Sequence, residues 1–254
     1  LAAQIDLLPG ERLLLEDALA LAAEVQKSLL PQTSPQVQGL DVAGKNVSCE
    51  EIGGDYFDFL WRREKPDGPF SVVVGDITGH GVDSALLMTS ARAFLRMRAS
   101  QPGTISDIVG AMNSHLTQDV LETGRFMTLF YLTVDPQKNR IDWVRAGHDP
   151  ALLYDPQQDA FSELMGTGMA LGVNDAFKYP ENRHEGLTNG QIIAIGTDGI
   201  WEAADGDGLL RAIACVAPEV VCELRPPESV VPAAQILHVL VGADGKIVGP
   251  DHLA

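Results

Sequence analysis

The chain has 254 residues, with 18 Lys and Arg against 35 Asp and Glu and a formal net charge of −17. Its 45% apolar and 21% charged residues are those of an ordinary globular protein, which excludes a disordered tail, a collagen-like chain and a coiled-coil rod. The length suits one large domain or two small ones, and the negative balance argues against a nucleic-acid-binding face, because phosphates would be repelled. Apolar runs such as Ala18 to Ala23 fall far short of the roughly 18–20 residues of a membrane helix, so no membrane insertion is expected. Cys49, Cys215 and Cys222 lack a CxxC spacing. Neither a disulfide framework nor a Cys-based zinc site is expected, and free thiols fit a cytoplasmic location. There is no signal-peptide pattern, and the start at Leu1 without Met reads as an excised domain with something upstream.

Residues 11–30 read as a helix whose Leu14, Ala18, Leu21 and Val25 recur at steps of 4, 3 and 4 on one stripe. Pro31 stops it. Such a stripe either lies on its own domain or pairs with a second helix as a connector or dimer seam. Residues 32–39 form a polar linker, after which the pattern becomes strand-like over 40–48, 52–62 and 70–76. Two helices follow. The first, 82–99, carries Val82, Ala85, Leu86, Thr89, Ala93 and Met97 on one face. The second, 104–121, carries Ile105, Ile108, Val109, Met112, Leu116 and Val120. Further strands are expected at 126–134, 140–146, 151–154 and 191–197. Asp135–Asn139 and Asp155–Asp159 read as turns joining antiparallel neighbours, with Asp first and Pro second. The order predicts a layered α+β protein with a sheet sandwich inside.

Three acidic residues stand out by their surroundings. Asp55 lies in Gly53-Gly54-Asp55-Tyr56-Phe57-Asp58. Asp76 ends an apolar strand and opens Ile77-Thr78-Gly79-His80-Gly81, and Asp198 ends another before Gly199-Ile200-Trp201-Glu202. A carboxylate at the end of a buried strand is costly unless a partner offsets its desolvation. No basic residue sits inside the three motifs, so divalent cations are the natural compensation, and hard oxygen ligands select Mg²⁺ or Mn²⁺. Taken singly, each motif also has a plainer reading: Gly-Gly-Asp as a turn, and Asp76 or Thr78 as the cap of the helix starting near 82. His148, in Ala146-Gly147-His148-Asp149-Pro150, reads as a turn residue between two strands, and His115 as surface or packing. No zinc spacing, Walker loop or Cys-x₅-Arg loop is present.

These motifs resemble the metal-dependent protein phosphatases (PPM-type, protein phosphatase 2C-like), in the bacterial branch of the sporulation phosphatase SpoIIE and the stress-response phosphatase RsbU. Gln26-Lys27-Ser28-Leu29-Leu30-Pro31, Phe126-Met127-Thr128-Leu129-Phe130 and Ala146–Pro150 agree with the same family, so the likeness runs over about residues 20–205. It implies a four-layer αββα sandwich, two antiparallel sheets flanked by helices. It further implies a centre of two Mn²⁺ or Mg²⁺ ions between the sheets at one edge. Phosphoserine or phosphothreonine would be hydrolysed there by a metal-activated bridging water. Carried over residue by residue, Asp76 bridges both metals and Asp55 lies on the second-metal side, acting through water. The Ile77 carbonyl ligates the second metal and Asp198 the first, so that Asp55, Asp76 and Asp198 form the catalytic set. His80 shapes its turn. The family's last ligand has only Asp251 as a counterpart. From about residue 208 the chain departs from the family, its expected closing strand is missing, and Asp244 reads as a turn residue.

The resemblance divides the chain into a connector or dimerisation helix, 1–31, and a phosphatase domain, 32–254. It implies a phosphorylated anti-anti-sigma (STAS-type) regulator as substrate and an upstream sensor or receiver domain, while the Leu14, Ala18, Leu21 and Val25 stripe suggests a homodimer through the N-terminal helix. Two other readings compete. A diguanylate-cyclase-like hairpin needs an acidic residue after Asp55, where Tyr56 stands. A pseudophosphatase that has lost its last ligand would act as a regulatory binding domain.

Overall fold

The computed structural model describes residues 9–37, 40–47, 52–61, 68–188, 190–197 and 234–241. The helices are α1 (Pro9–Leu29), α2 (Val82–Ala99) and α3 (Ile105–Val120). The strands are β1 (Leu40–Val47), β2 (Tyr56–Trp61), β3 (Phe70–Ile77), β4 (Met127–Asp135), β5 (Arg140–Ala146), β6 (Ala151–Asp155), β7 (Ala160–Leu164), β8 (Asn182–Glu185), β9 (Gln191–Gly196) and β10 (Ala234–Val241). They form two five-stranded antiparallel sheets, β1-β10-β9-β6-β7 and β2-β3-β4-β5-β8. The short turns after Asp135 and Asp155 make hairpins, as expected. Asn139 and Asp159 take the left-handed conformation that closes each turn, which Asn and Asp tolerate better than other side chains.

Register parity sorts the second sheet into two faces. Phe57 pairs with Val74 and Phe59 with Val72, while Val74 and Val72 pair with Phe130 and Leu132 of β4. Residues directly opposite share a face, so this set forms one apolar surface. It meets the first sheet, where Gly44 of β1 lies so close to the Phe57 and Phe59 rings that a Cβ would come within 3.0 Å of both. The alternate residues Tyr56 and Asp58 face outward. There Arg96 of α2 grips the fully buried Asp58 carboxylate with two nitrogens, and the Tyr56 hydroxyl donates to it at 2.8 Å. Burial on both faces explains why β3 carries Val72, Val73 and Val74 in succession rather than an alternating pattern. α2 and α3 cover this outer face, and α1 meets α2 through Ala23 and Ala85 with Ile52. The expected helical layer over the first sheet is not seen among the described residues.

The expected spans are close to those observed, with three differences. The core side of α2 is Ser84, Ala85, Met88, Ala91 and Leu95, while Val82, Leu86 and Met97 are exposed. Apolar residues occur all round this helix, and small Ala91 lies with Met88 and Leu95 in the core beneath it. α3 buries the stripe expected of it and opens with a full capping box between Thr104 and Asp107. The closing strand is present as β10, inserted between β1 and β9. The short strands β7 and β8 lie at sheet edges, and β7 is mostly exposed.

Candidate metal centre between the sheets

The inner apolar face of the second sheet changes character at one end. Val74 is followed two residues on by Asp76, and Phe130 is preceded two residues back by Thr128, its register partner. The β2–β3 register carried one rung past Tyr56↔Gly75 sets Asp55 opposite Asp76, and one further sets Gly54 opposite Ile77. The second step is visible in the packing: a Cβ at Gly54 would lie 2.5 Å from the Ile77 carbonyl oxygen. Asp55 is buried and Asp76 half-buried. The register thus sets the two aspartates opposite each other at one end of β2 and β3, with the Ile77 carbonyl next to them.

The turn after Asp76 is braced from below. The Thr78 amide and hydroxyl donate to the Phe126 carbonyl at 3.0 and 3.2 Å, and the Phe126 amide donates back to the hydroxyl at 3.1 Å. Arg125 donates to the Thr78 carbonyl at 2.7 Å and to Asp83 at 3.1 Å. Its guanidinium passes so close under Gly79 that a Cβ there would lie 2.3 Å from Nη1, and Gly79 also has φ +93°. Neither Asp76 nor Thr78 is the helix cap: Gly81 holds that position, with no side-chain cap. His80 is exposed on the same turn. The other strand of the site is held by α1, where the Gln26 amide donates to the Gly53 carbonyl at 2.8 Å and accepts from its amide at 3.2 Å.

His148 is not a simple turn residue. Its ring is buried, with Nδ1 2.8 Å from the Thr128 hydroxyl and Nε2 3.0 Å from the Gly196 carbonyl at the end of β9. Burial pushes its pKa down to about 4, against the pull of Asp149 and the Gly196 carbonyl and with help from Arg145. Sequence reasoning passed over His148, Gln26 and Arg125 as site residues. The signal available for His148 was parity: Thr128 falls in phase with Asp76 only once the strands are paired. His115 is a packing residue, stacked on Phe94 at 4.3 Å and paired with Asp119 at 3.6 Å.

Of the expected ligands, Asp55, Asp76 and the Ile77 carbonyl come together. Asp198 and Asp251 lie outside the described residues, as do Cys49, Cys215 and Cys222. Among the described residues no three His, Cys, Asp or Glu side chains are grouped to hold a metal ion. What is present fits a hard cation. The donors are all oxygens, the Gly54 backbone lies against the Ile77 carbonyl, and the buried Thr197 hydroxyl beside Asp198 has no hydrogen-bond partner among the described residues.

Residues 66–235 match the family described as Stage II sporulation protein E (SpoIIE). The chain is 26% identical to the phosphoserine phosphatase RsbU of Bacillus subtilis (strain 168) over 198 residues, 78% of this chain and 57% of that protein. It therefore spans little more than half the length of that curated relative. Among solved structures, the RsbU and RsbW domains of a Mycobacterium tuberculosis protein superpose with TM-score 0.68 at 24% identity, over 86% of this chain and 64% of that one. RsbX in complex with magnesium superposes with TM-score 0.58 at 14% identity, over 82% of this chain and 98% of that one. The superpositions establish the two-sheet fold, and with the match over residues 66–235 they place this chain in the SpoIIE family.

Proposed function

We propose that this chain is a metal-dependent protein phosphatase that hydrolyses phosphoserine or phosphothreonine in bacterial signalling. The observation that carries this reading is the pairing of Asp55 and Asp76 in the strand register at one end of the inner sheet face, beside the Ile77 carbonyl. Asp55, Asp76, Ile77, Asp198 and Asp251 would hold two divalent cations, Mn²⁺ or Mg²⁺, and the magnesium bound by RsbX favours that class. Such ions supply positive charge to phosphoryl oxygens and lower the pKa of water. The chain's own part is geometric. Facing carboxylates hold negative charge in place, the Thr78 and Arg125 bonds keep the Asp76 turn rigid, and the Gln26 bonds do the same for Asp55. The −17 net charge would repel a phosphate from most of the surface, so binding concentrates where cations sit.

The likeness to RsbU supports a phosphorylated STAS-type anti-anti-sigma regulator as substrate and an upstream sensor or receiver domain as controller, with the cytoplasm as the place of action. Among the described residues no helix is long and apolar enough to cross a membrane. The division into a helix, 1–31, and a phosphatase domain, 32–254, is supported by the exposed Leu14 and Leu21 on α1, which we assign to pairing with a second copy of the helix.

The test is phosphate release from a phosphoserine-bearing STAS protein and from p-nitrophenyl phosphate, with Mn²⁺, Mg²⁺ or EDTA. Asp76→Asn is expected to lower the Mn²⁺-dependent rate about 10³-fold, since a neutral amide cannot hold two cations and the loss amounts to several kcal/mol. A variant as active as the parent overturns the assignment. A parent that binds Mn²⁺ yet hydrolyses neither ester leaves only the regulatory binding domain.

A further inference from the structure

His148 lies in neither sheet, yet it is hydrogen-bonded to both. Thr128, on one side, is the register partner of Asp76. Gly196, on the other, ends β9 two residues before Asp198. The direction of the bonds follows from the atoms. A carbonyl oxygen only accepts, so Nε2 carries the hydrogen that goes to Gly196. A neutral imidazole has one such hydrogen, so Nδ1 is bare and accepts from the Thr128 hydroxyl. The relay runs one way, from β4 through the ring to β9.

The ring is itself held from behind. The Arg145 guanidinium donates through Nε to the His148 carbonyl and through Nη1 to the Gly166 carbonyl at 3.0 Å. Gly147, at φ +69°, donates to the Gly168 carbonyl at 3.1 Å, and a Cβ there would collide with the Ala170 backbone at 2.8 Å. An aromatic ring with its two nitrogens at fixed separation makes a rigid spacer. Only 3% of His148 is exposed, so water does not compete for either bond.

We propose that His148 is a positioning residue whose ring sets the gap between the Asp76 rung and the end of β9, and so the spacing at which divalent cations are held. The inference rests on the phosphatase reading, but two of its readouts need no turnover. The first is the imidazole ¹⁵N spectrum of the metal-free chain, expected to show the Nε2–H tautomer of His148 at pH 7. The second is calorimetric titration of the metal-free chain with Mn²⁺.

His148→Ala is expected to weaken Mn²⁺ binding 10–100-fold, the range for residues that orient metal ligands. His148→Gln, whose amide can still donate to Gly196, is expected within about threefold of the parent, well short of the loss that follows removal of an orienting partner. His148→Asn reaches only Thr128 and is expected to behave like Ala. Met112→Ala, a core truncation in α3, serves as the control for general destabilisation and leaves Mn²⁺ affinity unchanged at a temperature where it is folded. Thr128→Val removes one end of the relay, is expected to weaken Mn²⁺ binding, and decides the matter should His148→Ala not fold. Parent-like affinity in His148→Ala or in Thr128→Val, a Gln variant no better than Ala, or an Nδ1–H tautomer overturns the proposal. A parent without phosphatase activity overturns the functional reading instead, and the tautomer and the titrations still judge His148.

Discussion

A methyl group added at Gly54 would lie 2.5 Å from the Ile77 carbonyl oxygen, a backbone atom with little room to retreat. One added at neighbouring Gly53 meets nothing within 4 Å. Neither glycine has positive φ, so the contrast is one of space alone. Gly54→Ala is expected to cost about 1–3 kcal/mol in urea unfolding, typical of overpacking, and to lower Mn²⁺-dependent activity by displacing Asp55. Gly53→Ala is expected to stay within about 0.5 kcal/mol of the parent, as for an uncrowded site. Equal effects of the two would refute the facing arrangement of Gly54 and Ile77. At this scale the sequence singles out Asp55 and Asp76, because strand-terminal carboxylates flanked by glycine are costly without a cation. His148 is not singled out. Its role depends on which residue it meets across two sheets, and that is settled by register, to which local sequence is blind.

Among elements, α1 shows how one helix divides its labour. Ala23 and Leu30 are buried and Gln26 reaches the Gly53 backbone, while Leu14, Ala18, Leu21 and Val25 face away from the domain. The stripe read from the sequence is real as a stripe, and it is the outward one. If it pairs with another copy, Leu14→Asp with Leu21→Asp lowers the light-scattering mass from dimer to monomer, because charges in an apolar seam are not tolerated. An unchanged mass with unchanged activity argues against the seam. The same ambiguity misled the reading of α2: Leu86 and Met97 are as apolar as Met88 and Leu95, and only the partner surface decides which side is core. Strands proved more legible than helix faces, since β3, β4 and β5 are buried nearly throughout and bounded by turn residues. β8, four polar residues on an edge, carries no such signal.

Across the whole molecule, the cross-sheet histidine predicts an acid response. His148 is neutral when folded, with a pKa near 4 against about 6.5 for the free side chain, so unfolded chains take up its proton first as pH falls. Its contribution is complete above pH 6.5 and is lost between there and pH 4, by about 3 kcal/mol in all. Urea unfolding of the metal-free chain from pH 7 to pH 4.5 is expected to show a steeper loss for the parent than for His148→Gln, which has nothing to titrate at that position. Coincident curves would place the ring's pKa near its ordinary value. The position of β10 has a different kind of consequence. It fills the space between β1 and β9, so the strand Leu40–Val47 waits for one that is made nearly two hundred residues later, at Ala234–Val241. While the ribosome is still at work, two ladders stand with their amides and carbonyls open, and such unfilled rims invite neighbouring chains. A nascent polypeptide of this design is thus most vulnerable to clumping until Ala234–Val241 has emerged, and a chain cut ahead of that strand would make the vulnerability permanent.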